Sequence, residues 1–378
     1  RDFCLSRGLG DVYKRQASNR FGLYKAHPGS VQEAIANYRA LFTDPNVAGE
    51  EAIFIKGYGA PGTRIAHDYD AWNNPNQNAE GFPHRGRTNP ILELIDLYED
   101  YTNPGHAAPI ITTEDGKVSD NEGYRPYVAY RHFDSPEEIF KHKDARFFAC
   151  ITYPNSVWKG KKIVIQGGVI KPNGDLMSSP GACEHNGKTY YTFGAQFSKD
   201  YSGFDGTPNC TRTGFLMRKF LNENLTVTKE LQSTTDFMDF RYAEILLNFA
   251  EAVVEKGETD GNLLDMAKKG LNDLRKRAAH TTEVDLTLDN VLRERRIELA
   301  FENKGYWDLI RRRDFHSEFD NRRKMALVPM IDLRGEKPQY IFVRKFVPGA
   351  NSCTFQTHHY YRHIPGTSTN GLTQNPKH

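Results

Sequence analysis

The 378-residue chain is short of several things. Its five cysteines, Cys4, Cys150, Cys183, Cys210 and Cys353, form no C-x-x-C pair and no tight cluster. That spacing argues against both a disulfide framework and a thiolate zinc site. No apolar run is long enough to span a bilayer. An excess of charge of one sign is nearly absent: 50 Lys and Arg against 48 Asp and Glu leave a net +2. Nothing in that balance calls for nucleic acid or an anionic membrane. No G-x-S-x-G, Walker or G-x-G-x-x-G element opens a helix after a strand. Asp68-x-Asp70 begins like a calcium loop, but its fifth position is Trp72 and no glycine follows at the sixth. His359 and His363 have helical i, i+4 spacing without the glutamate of a zinc protease. The expectation is therefore no metal and no cofactor. There is also no repeat long enough to make a solenoid array.

Aromatic side chains, by contrast, make up 12% of a chain whose mean hydropathy is −0.66. A polar chain rich in Tyr and Phe suits a ligand-binding surface. Residues 1–16, RDFCLSRGLGDVYKRQ, fit nothing in the rest of the chain. They have no starting Met and no apolar stretch before Cys4, so they are not a lipoprotein signal. They read as an extraneous segment, a translated adapter of the kind left at the ends of gene fragments. On that reading the natural amino terminus, with any signal peptide, is missing.

Composition divides the remainder into a loop-rich part (17–235), a helical core (236–316) and an irregular tail (317–378) of the same domain. Val31, Ile35, Tyr38 and Leu41 share one helical face, and Thr43-Asp44-Pro45-Asn46 ends that helix. Ala52 to Ile55 reads as a short apolar element. Between 57 and 235, Gly and Pro are scattered, and the clear helix is Pro90 to Tyr101. Asn186-Gly187 predicts a hairpin turn.

The helical core has three periodic segments. The first, Asp239 to Lys256, is apolar except for a stripe of Arg241, Glu244, Asn248, Glu251 and Glu255, and Gly257 stops it. The second can be capped by Asp260 and runs to about Ala279, as the first helix's antiparallel neighbour. The third starts near Leu288, with Asp289 a possible cap, and carries Arg295, Glu298 and Glu302 on one face. These carboxyls can be read as an acid–base pair or as an ion-pair network locking three helices. The structural reading is preferred, because carboxylates on packed helices more often hold structure than do chemistry. A buried stripe of charge must find partners. Tyr306, Trp307 and Leu309 read as core after a break at Gly305, and Arg311 to Arg313 as cations at a helix end.

The stretch from Tyr58 to Arg87 is the candidate binding loop. Tyr58, Tyr69 and Trp72 offer rings that can cover the apolar C–H face of a sugar. Asn73, Asn74, Asn76, Gln77 and Arg85 offer paired donors and acceptors for neighbouring hydroxyls. The bland alternative is a solvated loop in which Trp72 anchors packing.

Several blocks carry a family resemblance. The run Arg241 to Ala252 (RYAEILLNFAEA) and Leu271 to Ala278 (LNDLRKRA) are similar to hallmark helices of the SusD/RagB family. Glu294 to Glu302 (ERRIELAFE), then Tyr306-Trp307-Asp308-Leu309, resemble its most recognisable block. The tail from Ile364-Pro365 to Asn375-Pro376 resembles its terminal signature. Shorter matches lie at Glu51 to Phe54, Asp144 to Phe147, Trp158 to Gly160 and Thr213 to Phe215. The blocks span residues 30 to 376 in the family's order. The resemblance implies a mainly α fold: an α/α superhelix with tetratricopeptide-like helix pairs, long irregular loops and minor β. It also implies a non-enzymatic outer-membrane lipoprotein at the cell surface. Such a protein captures oligosaccharides or other nutrients and passes them to a SusC-like TonB-dependent transporter. Members are normally longer at the amino end, where the lipidated cysteine would be the only link to the membrane. Arg362-His363 departs from the family's apolar residues before Ile-Pro. A protein-binding helical scaffold and a glycoside hydrolase, which would need two carboxyls flanking the ligand, are the alternatives.

Overall fold

The computed structural model describes residues 21–78, 85–118, 123–226, 228–350 and 352–375. The expectations for residues 1–16 and for Pro376 lie outside the described residues. In chain order the helices are α1 (Val31–Thr43), α2 (Tyr69–Asn73), α3 (Leu92–Leu97), α4 (Ala145–Cys150), α5 (Tyr242–Lys256), α6 (Gly261–Arg277), α7 (Leu288–Glu298), α8 (Gly305–Arg312), α9 (Phe315–Phe319) and α10 (Thr367–Asn370). The longer strands are β1 (Ala52–Lys56), β7 (Ala182–His185), β8 (Lys188–Tyr191), β10 (Phe237–Arg241), β11 (Met325–Asp332) and β12 (Gln339–Phe346). Among the described residues six two-residue strands complete the set: β2 (Ile151–Thr152), β3 (Val157–Trp158), β4 (Lys161–Lys162), β5 (Val169–Ile170), β6 (Leu176–Met177) and β9 (Leu216–Met217). The fold is mainly helical, with minor β.

Local chemistry sets the helix ends. Ser30 Oγ accepts from Glu33 N–H, and Glu33 Oε2 accepts from Gly29 N–H at 2.8 Å, so the first turn of α1 is capped from both sides. Asp260 caps α6. Gly257 ends α5 in the left-handed region at φ 65°, where a side chain would be strained. Antiparallel α5 and α6 bury Leu246, Leu247, Phe249 and Val253 against Ala267, Leu271 and Leu274, and α7 adds Val291. Gly270 permits the close approach: a β-carbon there would sit 3.3 Å from Leu246 Cδ2.

A second core forms around α3, α4 and the β11–β12 hairpin, with Leu92, Ile95, Tyr98, Phe140, Phe147, Phe215, Leu327 and Phe342 in one cluster. The hairpin belongs to a four-stranded sheet in the order β12-β11-β5-β6. At Gly214, φ +96°, a β-carbon would come 2.1 Å from the Leu327 carbonyl oxygen, so only glycine allows that loop to lie on β11. The two-residue loop Asn186-Gly187 joins β7 to β8 with positive φ at both positions, as such hairpins require.

The structure corrects several expectations. The tail is not irregular: β11 and β12 are eight residues each. Every residue of β11 is buried, so alternation is lost, and Pro329 in mid-strand argues against a strand. The first helix of the core begins at Tyr242, not Asp239. Residues 237–241 instead pair antiparallel with β1, where Phe237, Met238 and Phe240 suit a pleated surface. The cap of α7 is Thr287, whose Oγ1 accepts from Asn290 N–H, rather than Asp289. Glu302 lies beyond α7, after a turn with Phe301 at φ 66°. Between 57 and 235 the expected helix shrinks to α3, and α2 and α4 are added. Tyr306 and Trp307 are not core residues: they are 40% and 52% exposed, and only Leu309 of that trio is buried. Their rings meet each other at 5.1 Å, and Tyr306 meets Phe315 at 5.6 Å, across the surface of α8 and α9.

Candidate functional site

Two constellations stand out, one ionic and one aromatic. The ionic one is centred on Glu298, fully buried at the end of α7. Its carboxylate meets Arg241 at 2.8 Å and Arg146 at 3.0 Å, and also pairs with Arg277. Arg241 continues to Glu51 at 2.6 Å and Glu302 at 2.7 Å, and Lys219 reaches Glu302 at 2.6 Å. Arg277 also meets Glu51 at 2.5 Å, and Arg146 meets Asp144 at 2.7 Å. Separate stretches of chain thus deliver their charges to one interior network. Burial works to raise the Glu298 carboxyl, but Arg277, Arg241, Arg146 and Lys219 outweigh it and hold it well below the usual carboxylate range. Burial is likewise overcome at Glu302, by Arg241 and Lys219, and its carboxyl is lowered.

Glu244, Glu251 and Arg295 belong to a second, shallower cluster. Arg295 lies 3.5 Å from Glu244 and 2.7 Å from Asp308, and Lys304 reaches Glu244 at 3.1 Å. Glu251 takes Arg311 at 2.6 Å and Arg312 at 2.9 Å. The cations of α8 therefore neutralise carboxylates of α5. Burial raises the Glu244 carboxyl against the pull of Lys304 and Arg295. At Glu251 burial acts the same way, but Arg311 and its hydrogen bonds win and the carboxyl is lowered. In both clusters the carboxylates are engaged by cations of the fold itself.

The aromatic constellation is an open groove of about 420 Å³. Tyr58, just past β1, and Tyr69, Trp72 and Asn73 of α2 form one side. Phe220 and residues 235–237, entering β10, form the other. Hydrogen bonds tie the walls together. His67 Nε2 lies 3.0 Å from the Thr235 carbonyl, and its Nδ1 accepts from Tyr69 N–H at 3.2 Å, which makes Nε2 the donor. Asp236 Oδ1 accepts from Tyr58 N–H at 2.8 Å. Asp68 Oδ1 accepts from Leu231 N–H at 2.5 Å. Tyr58 meets His67 edge-on at 4.4 Å. Tyr69 is set against Phe220 and its hydroxyl donates to Met217 Sδ at 3.0 Å; burial raises that phenol. Trp72 stays 39% exposed, with the Arg87 guanidinium 5.6 Å from its ring. Thr235 Oγ1 is buried with no hydrogen-bond partner among the described residues.

The amides expected to face ligand are engaged within the protein. Asn73 donates to the Tyr69 carbonyl at 3.0 Å and accepts from Thr88 N–H at 3.1 Å. Asn74 donates to the Asp70 carbonyl at 2.8 Å and accepts from Trp158 Nε1 at 2.9 Å. Gln77 bridges to the Lys162 carbonyl at 3.0 Å and Val164 N–H at 2.7 Å. Arg85 donates to Asn76 Oδ1 at 3.0 Å, and Asn76 donates to the Tyr201 carbonyl at 2.9 Å. Of the expected residues, Tyr58, Tyr69, Trp72 and Asn73 line the groove; Asn74, Gln77 and Arg85 do not, and brace the chain behind it. Sequence reasoning missed His67, Asp68, Phe220, Thr235, Asp236 and Phe237 as lining residues. The last four lie about 150 residues or more from Trp72, and no local pattern announces them.

The sequence profile of the SusD family matches residues 50–378. Among curated proteins none matches the sequence. A SusD-like protein from Bacteroides fragilis shares the fold at TM-score 0.60 and 19% identity, over 95% of this chain and 59% of its own. A second, a SusD-like carbohydrate-binding protein from the same species, gives 0.53 at 19% identity, over 90% and 57%. Surface glycan-binding protein A from Bacteroides fluxus gives 0.54 at 18% identity, over 100% and 60%. The chain thus spans between 57% and 60% of the length of these solved relatives.

Proposed function

The chain belongs to the SusD family, and on that premise we propose that it captures glycans at the cell surface in the groove between Tyr58 and Phe237. The carrying observation is the groove itself: Tyr58, Tyr69 and Trp72 beside polar groups, with Trp72 partly exposed. A sugar ring set on Trp72 or a neighbouring Tyr would lose water from its apolar face, and the polar rim would orient its hydroxyls. Asn73 lines the groove with its amide held by the Tyr69 carbonyl and Thr88 N–H. Asn74, Gln77 and Arg85 act one step back, by fixing the chain that carries the rings.

Binding without turnover is the reading. The groove's carboxyls, Asp68 and Asp236, each accept a backbone N–H and help hold the walls. The captured glycan would be handed to a SusC-like TonB-dependent transporter, the partner the family resemblance implies, with a lipid anchor as the membrane link. A screen on a glycan array, followed by calorimetry on the hits, tests the reading. Saturable binding that weakens in Trp72→Ala, with no change in glycan size, is the expected result. Glycan binding indifferent to Trp72, Tyr58 and Tyr69 together would place the site elsewhere.

A further inference from the structure

A second cavity, of about 440 Å³, shares the Phe220 wall with the groove. It lies between the carboxyl end of α1, residues 39–45, and the turn from Arg218 to Asn224. Its chemistry differs. Interior arginines elsewhere are matched by carboxylates, as at Arg146, Arg241 and Arg277. Arg39 is not. It donates from Nη2 to the Phe148 carbonyl at 2.8 Å, pairs with no carboxylate among the described residues, and its Nε is buried without a partner. Arg218 is 6% exposed. Its Nη1 donates to the Val157 carbonyl at 3.1 Å, its Nη2 pairs with the half-exposed Glu223, and its Nε is likewise buried and unpartnered.

Two desolvated guanidinium groups lining one cavity repel each other. Burial, together with the Arg218 charge, pushes Arg39 down to about 10. Lys219, the third cation of the wall, is neutralised by Glu302. Asp44 and Glu223 are the opposing carboxylates of the lining, and Asn222 and Thr43 are neutral polar groups beside them. A planar guanidinium is matched in shape and charge by a carboxylate or a sulfate, which it can meet with two parallel hydrogen bonds.

We propose that this cavity binds an oxyanion group, carboxylate or sulfate, clamped by Arg39 and Arg218. The group can be a free inorganic anion or the acidic substituent of a sugar, and the inference stands apart from the reading of the aromatic groove. The experiment is calorimetric titration of the chain with sodium sulfate at constant ionic strength, with glucuronate and glucose as parallel arms. Sulfate should bind saturably. Arg39→Gln should weaken it by about tenfold or more, the effect of losing one charge-assisted contact. Glu223→Gln, which removes the carboxylate that competes for Arg218, should strengthen it several-fold. Circular dichroism melts establish that both variants are folded, and the opposite signs of the two effects separate binding from damage. Binding of glucuronate but not of sulfate or glucose, with the same dependence on Arg39, assigns the site to an acidic sugar. Absence of saturable binding by both sulfate and glucuronate overturns the proposal, as does binding that neither variant changes.

Discussion

The interior around Glu298 and the groove around Trp72 are both dense in the residue types that functional sites use, yet they are built on opposite principles. In the ionic interior every carboxylate meets a cation from another segment, and the charges that could do chemistry are consumed in holding the fold. In the groove the polar groups hold the walls, while ring surface is left over. What distinguishes the proposed binding surface from the structural one is therefore the unused remainder, not the count of charges or amides. Both regions depend on distant chain segments, so neither can be judged from one motif.

The comparison breaks most visibly at Glu298. Glu298→Ala leaves Arg146, Arg241 and Arg277 short of a buried carboxylate, and should destabilise the chain by about 3 to 5 kcal/mol in urea unfolding. Loss of glycan binding in the fraction that remains folded would mean that the network is part of the site.

Acid provides a second lever on the same region. The folded-state carboxyls of Glu298, Glu302 and Asp144 are depressed by their arginine, lysine and histidine partners against the effect of burial. Their stabilisation is fully present above the unfolded value of about 4 and is lost as pH falls below it, toward the folded values. Thermal stability should drop steeply below about pH 4, and Glu298→Ala should flatten that slope. A wild-type melting curve insensitive to pH in this window would contradict the pairing.

At the groove the expected effect shifts from stability to binding. Trp72→Ala should weaken glycan binding by about 1 to 3 kcal/mol, the value of burying such a side chain under a sugar. Its melting temperature should move little, because the ring is already partly exposed. A loss of several kcal/mol of stability with affinity intact would make Trp72 a packing anchor instead.

The finest distinction is at Gln77, a brace behind the groove. Gln77→Ala removes bonds to Lys162 and Val164 and should cost about 1 kcal/mol of stability, with a smaller effect on affinity than Trp72→Ala. A larger effect on affinity than on stability would put the amide on the ligand.

Much of this was legible before any fold was drawn. Helices α5, α6 and α7 announce themselves by 3.6-residue periodicity, Gly257 and Asp260 mark their ends, and Asn186-Gly187 marks a hairpin, because these signals act within a few residues. The quoted blocks named the family, whose profile covers residues 50–378. The strand β11 was not legible, because a fully buried strand loses its alternation and Pro329 reads as a breaker. Nor was the exposure of Tyr306 and Trp307, since an apolar residue in a helix says nothing about which neighbour covers it.

The sequence by itself determined the three long core helices, which charges must be matched and which family the chain resembles, since capping, periodicity and the cost of an unpaired buried charge are local or compositional. Only the tertiary structure decided who meets whom. It brought Glu51, Asp144 and Arg146 to Glu298 and Arg241. It turned the amides of Asn74 and Gln77 inward, and it set Phe220 and Phe237 opposite Trp72. Those choices rest on contacts between residues far apart in the chain, where packing and hydrogen-bond satisfaction act jointly and no short stretch carries the answer.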